Sequence, residues 1–314
     1  MQLIDEISDK VLQPSVATIG FFDGVHCGHR FLIEQVRVTA VSRGLASSVI
    51  TFPVHPRKVM QSDFHPELLT TCEEKIRLLA DTGIDYCVML DFTPSLAQLS
   101  AQQFMAVLKE KYEIQVLVVG HDHRFGHNRT EGFNDYVRYG RELGMEVLLA
   151  RAYSDQDMTV SSSAIRRLLL EGNVSSAATC LGYHFFLDGT VVGGYHVGRR
   201  IGYPTANLKV SDPDKLIPAD GVYAVYVSVG GQEYGGMLSI GYRPTLNNGT
   251  DRSIEVHIFH FNSDIYNQPM RISFVQRTRS ELKFDTIEEL IERLDKDAAE
   301  VTAILNSQTS TLSL

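Results

Sequence analysis

The chain has 314 residues, enough for two domains with separate cores, and its 44% apolar and 21% charged content is that of a soluble globular protein. A formal net charge of −9 argues against a general affinity for nucleic acid or an anionic membrane, so any phosphate chemistry must draw on local positive groups and metal ions. No apolar run is long enough to span a bilayer, MQLIDEISDK shows no signal-peptide pattern, and the cysteines at 27, 72, 87 and 180 have neither metal-ligand nor CxxC spacing, which predicts reduced thiols and a cytoplasmic protein.

In chain order, Val16–Ile19 is a short β-branched run that predicts a buried strand. It enters GFFDGVHCGHR, Gly20 to Arg30, and then an apolar pattern through Phe31, Leu32, Ile33, Val36, Val38 and Ala40 that predicts a helix. A strand-to-helix turn presents free N–H groups to an anion, and His26 and His29 flank Gly28, where the missing side chain permits close approach. A nucleotide phosphate site is one reading; two histidines at a helix start are also an ordinary surface or core pattern, and this segment alone leaves both open.

Strands are then predicted at Ser47–Phe52, Tyr86–Leu90, Ile114–Val119 and Glu146–Ala150, with helices at Glu73–Asp81 and, N-capped by Ser100, Ala101–Tyr112. Such alternation predicts an α/β domain, a mostly parallel sheet with helices on both faces. Ligands gather beyond the carboxyl ends of such strands, which places Gly20–His29, Phe52–Pro56 and Gly120–Gly126 along one edge. The loop VGHDHRFGHNR, Val119–Arg129, reads as a substrate-contacting loop; a solvated polar loop and a metal site at His121, His123 and His127 are the alternatives. Val160–Arg167 opens another helix, where Ser161, Ser162 and Ser163 are caps or, with Arg166 one turn later, an anion cradle. A short segment to Leu181 closes the domain.

From Tyr183 the chain turns β-branched, aromatic and glycine-punctuated. Strands are predicted at Phe185–Val192, Val222–Val229, Glu233–Ile240, Ser253–Phe259 and Met270–Gln276, with a hairpin turn at Gly230-Gly231, in a small antiparallel barrel. A closing amphipathic helix carries the stripe Ile287, Leu290, Ile291, Leu294, Ala298 and Val301 after a capping box of Thr286 and Glu289, and a polar tail begins at Asn306. In GRRIGYPTAN, Gly198–Asn207, the hydroxyl of Thr205 and the amide of Asn207 are oxygen donors of the kind Mg²⁺ takes, although a structural turn would also explain the segment. Glu255, the other candidate site residue here, shares a strand face with His257, although a solvent-facing polar stripe would also explain the pair.

Together these segments resemble the bacterial bifunctional riboflavin kinase/FAD synthetase (FMN adenylyltransferase) family over nearly the whole chain. Its GxFDGxHxGH segment is matched by Gly20–His29, its ISSTxIR-like segment by Val160–Arg166 and its VGxDFxFG-like loop by Val119–Gly126, with His123 for the aromatic residue. Its TFxPHP-like loop is matched by Thr51–Pro56, with Val54 in place of the first proline, and GRxxGxPTAN by Gly198–Asn207. IGxRPT, ExH and RxRxExKF correspond to Ile240–Thr245, Glu255–His257 and Arg277–Phe284, while Gly193 and Ser239 stand where His and Asn are common.

The resemblance implies a Rossmann-like FMN adenylyltransferase domain over 1–182, a riboflavin kinase barrel over 183–305 and a tail over 306–314. It implies an enzyme acting on riboflavin, FMN and ATP with Mg²⁺; the oligomeric state is left open. For adenylylation it implies ATP contacts at Gly20, Phe21, Asp23, Gly24, His26, Gly28, His29, Ser161, Ser162, Ser163 and Arg166, of which His26, His29 and Arg166 are catalytic. FMN would meet Phe52, Val54, Pro56, Asp122 and Phe125. In the kinase half it implies ATP contacts at Gly198, Arg199, Gly202, Pro204, Thr205 and Asn207, the last pair of side chains holding the metal. Riboflavin would meet Arg243, Arg279, Glu281 and the catalytic base Glu255. The chemistry is consistent: an alcohol nucleophile needs a base, whereas a phosphate nucleophile needs positive charge and donors around it.

Overall fold

The computed structural model describes the chain except for residues 6–11, 62, 121–122, 128–129, 155–159, 195–197, 199–200, 243–251 and 312–314. It packs as two compact units, Met1–Ser162 and Ser163–Leu314.

In the first unit the described strands are β1 (Gln2–Ile4), β2 (Ser15–Ile19), β3 (Ala46–Thr51), β4 (Tyr86–Met89), β5 (Ile114–Val119) and β6 (Glu146–Leu149). They form one parallel sheet in the order β1-β4-β3-β2-β5-β6. Every residue of β2 is buried, as expected of a central strand covered on both faces. Of its two hydroxyls, Ser15 accepts from Ser48 on β3 at 2.9 Å, and Thr18 Oγ1 is buried with no hydrogen-bond partner among the described residues. The helices are α1 (Cys27–Arg43), α2 (Pro56–Met60), α3 (Cys72–Ala80), α4 (Pro94–Ala97), α5 (Ala101–Tyr112) and α6 (Phe133–Leu143). Phe104, Met105 and Leu108 of α5 join Ile19, Leu117 and Val119 in the main core.

After β2 the chain builds β3 and β4 on one side, then crosses to β5 on the other. The carboxyl ends of β2 and β5 therefore flank the point where strand order reverses, the usual ligand crevice of an open α/β sheet. The loops leaving them are the histidine-glycine turn and Gly120–Gly126. In the second loop Gly126 has φ +93°, and a Cβ there would lie 2.7 Å from the backbone nitrogen of Ala101 at the start of α5. The glycine in this motif is thus fixed by backbone conformation and by a helix pressed against it.

The second unit begins within α7 (Ser162–Leu170), whose first residue belongs to the first, and continues through α8 (Val174–Leu181). The helices lie with the barrel: Ala219 donates to the Leu169 carbonyl at 3.0 Å and the Ser175 hydroxyl to the Val275 carbonyl at 3.1 Å. A boundary at 182 follows the change in composition, and packing divides the chain earlier. An amphipathic helix declares an apolar stripe but not the body that will cover it.

The barrel closes as β10-β11-β8-β7-β12-β9, all pairs antiparallel. Its strands are β7 (Phe186–Val192), β8 (Ala206–Val210), β9 (Gly221–Val229), β10 (Gln232–Tyr242), β11 (Arg252–Ile258) and β12 (Pro269–Arg279). Gly230 and Gly231, at φ 61° and 78°, make the two-residue turn between β9 and β10. The last helix, α9 (Ile287–Thr311), sets Leu294, Val301 and Leu305 against Val222, Ala224, Met237 and Val275. Two expectations change here. Ile287 is 61% exposed rather than part of the stripe, and the helix continues past Asn306, where a tail is expected to begin, as far as Thr311. Among the described residues no helix is long and apolar enough to cross a membrane.

Candidate functional sites

The turn after β2 is held under backbone strain. Phe22 and Val25 have φ 55° and 38°, and for a buried β-branched residue that conformation is rare. Asp23 fastens it: the carboxylate accepts the N–H of Leu69 at 3.1 Å and of Thr70 at 3.0 Å. The Thr70 hydroxyl in turn accepts the Gly24 N–H at 3.1 Å. Arg30 Nε donates to the Val25 carbonyl at 3.2 Å. Asp23 is 3% exposed, so its carboxylate shapes the turn from inside. The Ser162 hydroxyl donates to the Asp23 carbonyl at 3.0 Å, which joins the serine segment to the same turn.

His26 is the N-cap of α1, and its Nδ1 accepts the His29 N–H at 3.3 Å. With Nδ1 accepting, the neutral ring carries its proton on Nε2, a donor. The two imidazoles stack with centroids 3.5 Å apart, and Phe22 meets the His29 ring edge-on at 5.1 Å. A Cβ on Gly28 would lie 3.3 Å from the His26 ring, so the glycine leaves room for that ring. His29 Nδ1 is buried with no hydrogen-bond partner among the described residues. Burial lowers the His26 pKa to about 4 against the pull of Asp23. His29 is lowered well below its ordinary value by burial, by His26 and by Lys75. Both rings are therefore neutral near pH 7 and act as hydrogen-bonding groups, not as cations.

That neutrality has a consequence for stability. The folded state binds fewer protons than the unfolded chain between pH 4 and 6.5, so its stability is full above pH 6.5 and falls as acid is added. His26 alone is expected to cost about 3 kcal/mol across that window. Urea unfolding at pH 7 and pH 4 measures it, and His26→Gln should flatten the dependence.

The residues expected around FMN are spread over several environments. Phe52, 8% exposed, meets Phe92 edge-on; Val54 is 47% exposed; and Pro56 opens α2 behind the capping residue His55. Phe125 is a core residue, stacked on Tyr136 at 4.2 Å and donating its N–H to the Tyr136 hydroxyl. Asp122 and His121 lie outside the described residues. Among the described residues no group of three His, Cys, Asp or Glu is placed to hold a metal ion, although His123 and His127 are both described. Ser163 and Arg166 continue α7 in the second unit.

In the barrel, β8 and β11 bring the second set together. Asn207 pairs across the ladder with Glu255, and the Thr205 hydroxyl donates to the Glu255 carboxylate at 3.2 Å. His257 Nδ1 donates to the Pro204 carbonyl at 2.8 Å, fixing the turn from the same strand face. Gly198 accepts the Tyr203 N–H at 2.8 Å, and Gly202 bends the turn at φ +87°. A Cβ on Gly194 would fall 2.4 Å from Asn207 Nδ2, so that segment passes directly against the amide. Tyr203 bonds through its hydroxyl to Asp295 on α9; burial, reinforced by that carboxylate, pushes its pKa up to about 12.

Glu281 lies against β10, where a Cβ on Gly241 would overlap its carboxylate at 1.6 Å. Burial and the charge of Asp220 raise its pKa. Arg279 is committed to the fully buried Asp297 of α9, with Nη2 2.6 Å from the carboxylate, and Arg293 shares that partner at 2.7 Å. This pairing holds β12 to the terminal helix. Arg199 and Arg243 lie outside the described residues.

A family model described as FAD synthetase matches residues 8–164, and one described as riboflavin kinase matches 181–305. A bifunctional riboflavin kinase/FMN adenylyltransferase from Listeria monocytogenes is 37% identical over 92% of this chain and 91% of its own. The chain belongs to the bifunctional riboflavin kinase/FMN adenylyltransferase family. Relatives of that description from Bacillus subtilis and Escherichia coli are 35% and 34% identical, over 91% and 96% of this chain and 91% and 95% of theirs. A solved structure described as a macrolide-efflux protein from Streptococcus pneumoniae superposes with a TM-score of 0.87 at 33% identity, covering 96% of this chain and 98% of that one. The enzyme phosphorylates riboflavin to FMN and adenylylates FMN to FAD with release of pyrophosphate, using ATP and a divalent cation.

One residue escaped the motifs altogether. Lys75 on α3 is 1% exposed and donates from Nζ to the Phe52 carbonyl at 2.7 Å and the Phe21 carbonyl at 3.2 Å. In TCEEKIRLL it reads as one more charge on a helix, with no local sign of burial.

Proposed function

We propose that riboflavin is phosphorylated at Thr205, Asn207 and Glu255, and that FMN is adenylylated at the turn bearing His26 and His29. The observation that carries the kinase assignment is the meeting of Thr205 Oγ1 and the Glu255 carboxylate at 3.2 Å, with Asn207 opposite Glu255 in the ladder. A base and two neutral oxygen donors converge there from adjacent strands. Glu255 takes the proton of the riboflavin 5′-hydroxyl as its oxygen attacks the γ-phosphate of ATP, and ADP leaves. All donors in this set are oxygen, which fits Mg²⁺, and Thr205 and Asn207 would hold it. When bound, the ion neutralises phosphate charge and fixes the in-line geometry.

In the second step an FMN phosphate oxygen attacks the α-phosphate of ATP and pyrophosphate leaves. The nucleophile is already anionic, so no base is required. The His26 Nε2–H donates to phosphate oxygens, with His29 beside it, and Arg166 supplies charge. On this reading the adenylyltransferase function extends through residue 182, with the kinase over 183–305, and the protein acts in the cytoplasm. Supporting the last point, none of Cys27, Cys72, Cys87 and Cys180 is in a disulfide.

The test uses the full chain with riboflavin, ATP and Mg²⁺, followed by chromatographic separation of flavins. FMN and FAD both form with the metal and neither forms after chelation. Product formation that is indifferent to Mg²⁺ would overturn the metal assignment.

A further inference from the structure

Lys75 is a buried ammonium behind the histidine turn, and its surroundings do not explain the charge as a stabilising device. Phe21 and Phe52, whose carbonyls it binds, lie just beyond β2 and β3, so one side chain bridges the carboxyl ends of two neighbouring strands. The Phe21 carbonyl also accepts the Thr51 hydroxyl at 3.1 Å and is satisfied without a cation. Nζ lies 4.1 Å from the centroid of the Phe21 ring. Among the described residues Lys75 forms no ion pair. Asp23, whose charge reaches it, spends its carboxylate on the N–H groups of Leu69 and Thr70.

A buried ammonium without a carboxylate is costly, and an apolar stem of the same length would fill the space without that cost. The cost is visible in Lys75 itself, whose pKa is lowered from 10.5 to about 8 by burial, although Cys72, Asp23 and Cys87 pull it upward. The charge is felt at the site, since it helps to lower the pKa of His29. With both imidazoles neutral, Lys75 adds a fixed positive charge to those of Arg30 and Arg166 for the anions the turn handles. A fixed charge in a water-poor setting acts strongly and needs no rearrangement during reaction.

We propose that Lys75 is an electrostatic residue of FMN adenylylation, its buried charge drawing the ATP phosphates and departing pyrophosphate towards the imidazole donors. The inference rests on the reading that this turn is the adenylylation site.

The experiment is Lys75→Met in the full chain, with FMN-to-FAD and riboflavin-to-FMN turnover measured on the same preparation. The expected result is a fall of about 30-fold or more in kcat/KM for ATP in FAD formation, with FMN formation unchanged and the melting temperature equal or higher. A second readout is the pH profile of FAD formation: the wild type should lose kcat/KM as pH rises through about 8, and the variant should lack that limb. A purely structural lysine would not move the profile. FAD formation within twofold of wild type, an unaltered alkaline limb, or joint loss of both activities through misfolding would each overturn the proposal. His29→Asn separates the two readings. If it leaves FAD formation intact, the site assignment fails; if it cripples FAD formation and Lys75→Met does not, only the lysine proposal fails.

Discussion

Glu255→Gln is expected to abolish riboflavin phosphorylation while FMN adenylylation continues at the wild-type rate. The substitution is nearly isosteric, and the amide oxygen can still accept the Thr205 hydroxyl, so the β8–β11 pairing through Asn207 and Glu255 is preserved. What is lost is the ability to take a proton. A neutral alcohol attacking a phosphoryl group without that base should slow by about 10²–10⁴-fold. The two steps are read separately, as FMN formed from riboflavin and ATP, and FAD formed from supplied FMN and ATP. A kinase loss of less than tenfold would remove Glu255 from the role of base. Loss of both products would mean that the steps do not have separate sites.

How much of this was legible in the sequence depends on whether the deciding forces are local. Helix α5 and strand β5 fall where expected, at Ala101–Tyr112 and Ile114–Val119, because a capping box of Ser100 and Gln103 and an uninterrupted apolar run are local signals. Strand β8 has no such local signal. Its five residues, Ala206–Val210, show little alternation, and it is a strand because β7 and β11 pair with it on both sides. The same tertiary pairing is what turns Thr205 and Asn207 from neighbours in a turn into partners of Glu255.

The site shows the same division. Motif spacing singled out His26, His29, Thr205, Asn207 and Glu255, but not what each side chain does. Asp23 stands in the middle of its motif, yet its carboxylate bonds the backbone of Leu69 and Thr70, forty-odd residues away in sequence. Histidines in an anion site invite the expectation of positive charge. Burial removes that charge, and burial is a property of the folded unit. Lys75 is silent in the sequence for the converse reason, since a helical lysine is ordinarily solvated and only its packing against the Phe21 ring reveals otherwise.

His29→Asn is expected to lower kcat/KM for FAD formation by about 10²–10³-fold while leaving riboflavin phosphorylation unchanged. The residue sits where the donor geometry is most constrained, stacked on His26 at 3.5 Å, with its own N–H held by His26 Nδ1. Asparagine retains a polar group near the Nδ1 position and the backbone N–H, so the cap of α1 survives. It removes the far side of the ring and the face on which His26 rests. Because the nucleophile in this step is already charged, the loss should appear as weaker stabilisation of phosphate charge, with no new requirement for base. The effects of His26 and His29 should also fail to add, since each ring orients the other and removing either spoils both. The double variant should therefore be only slightly worse than the poorer single one. FAD formation by a folded His29→Asn protein at the wild-type rate would place adenylylation elsewhere, and fully additive losses would mean that the stacked rings act independently.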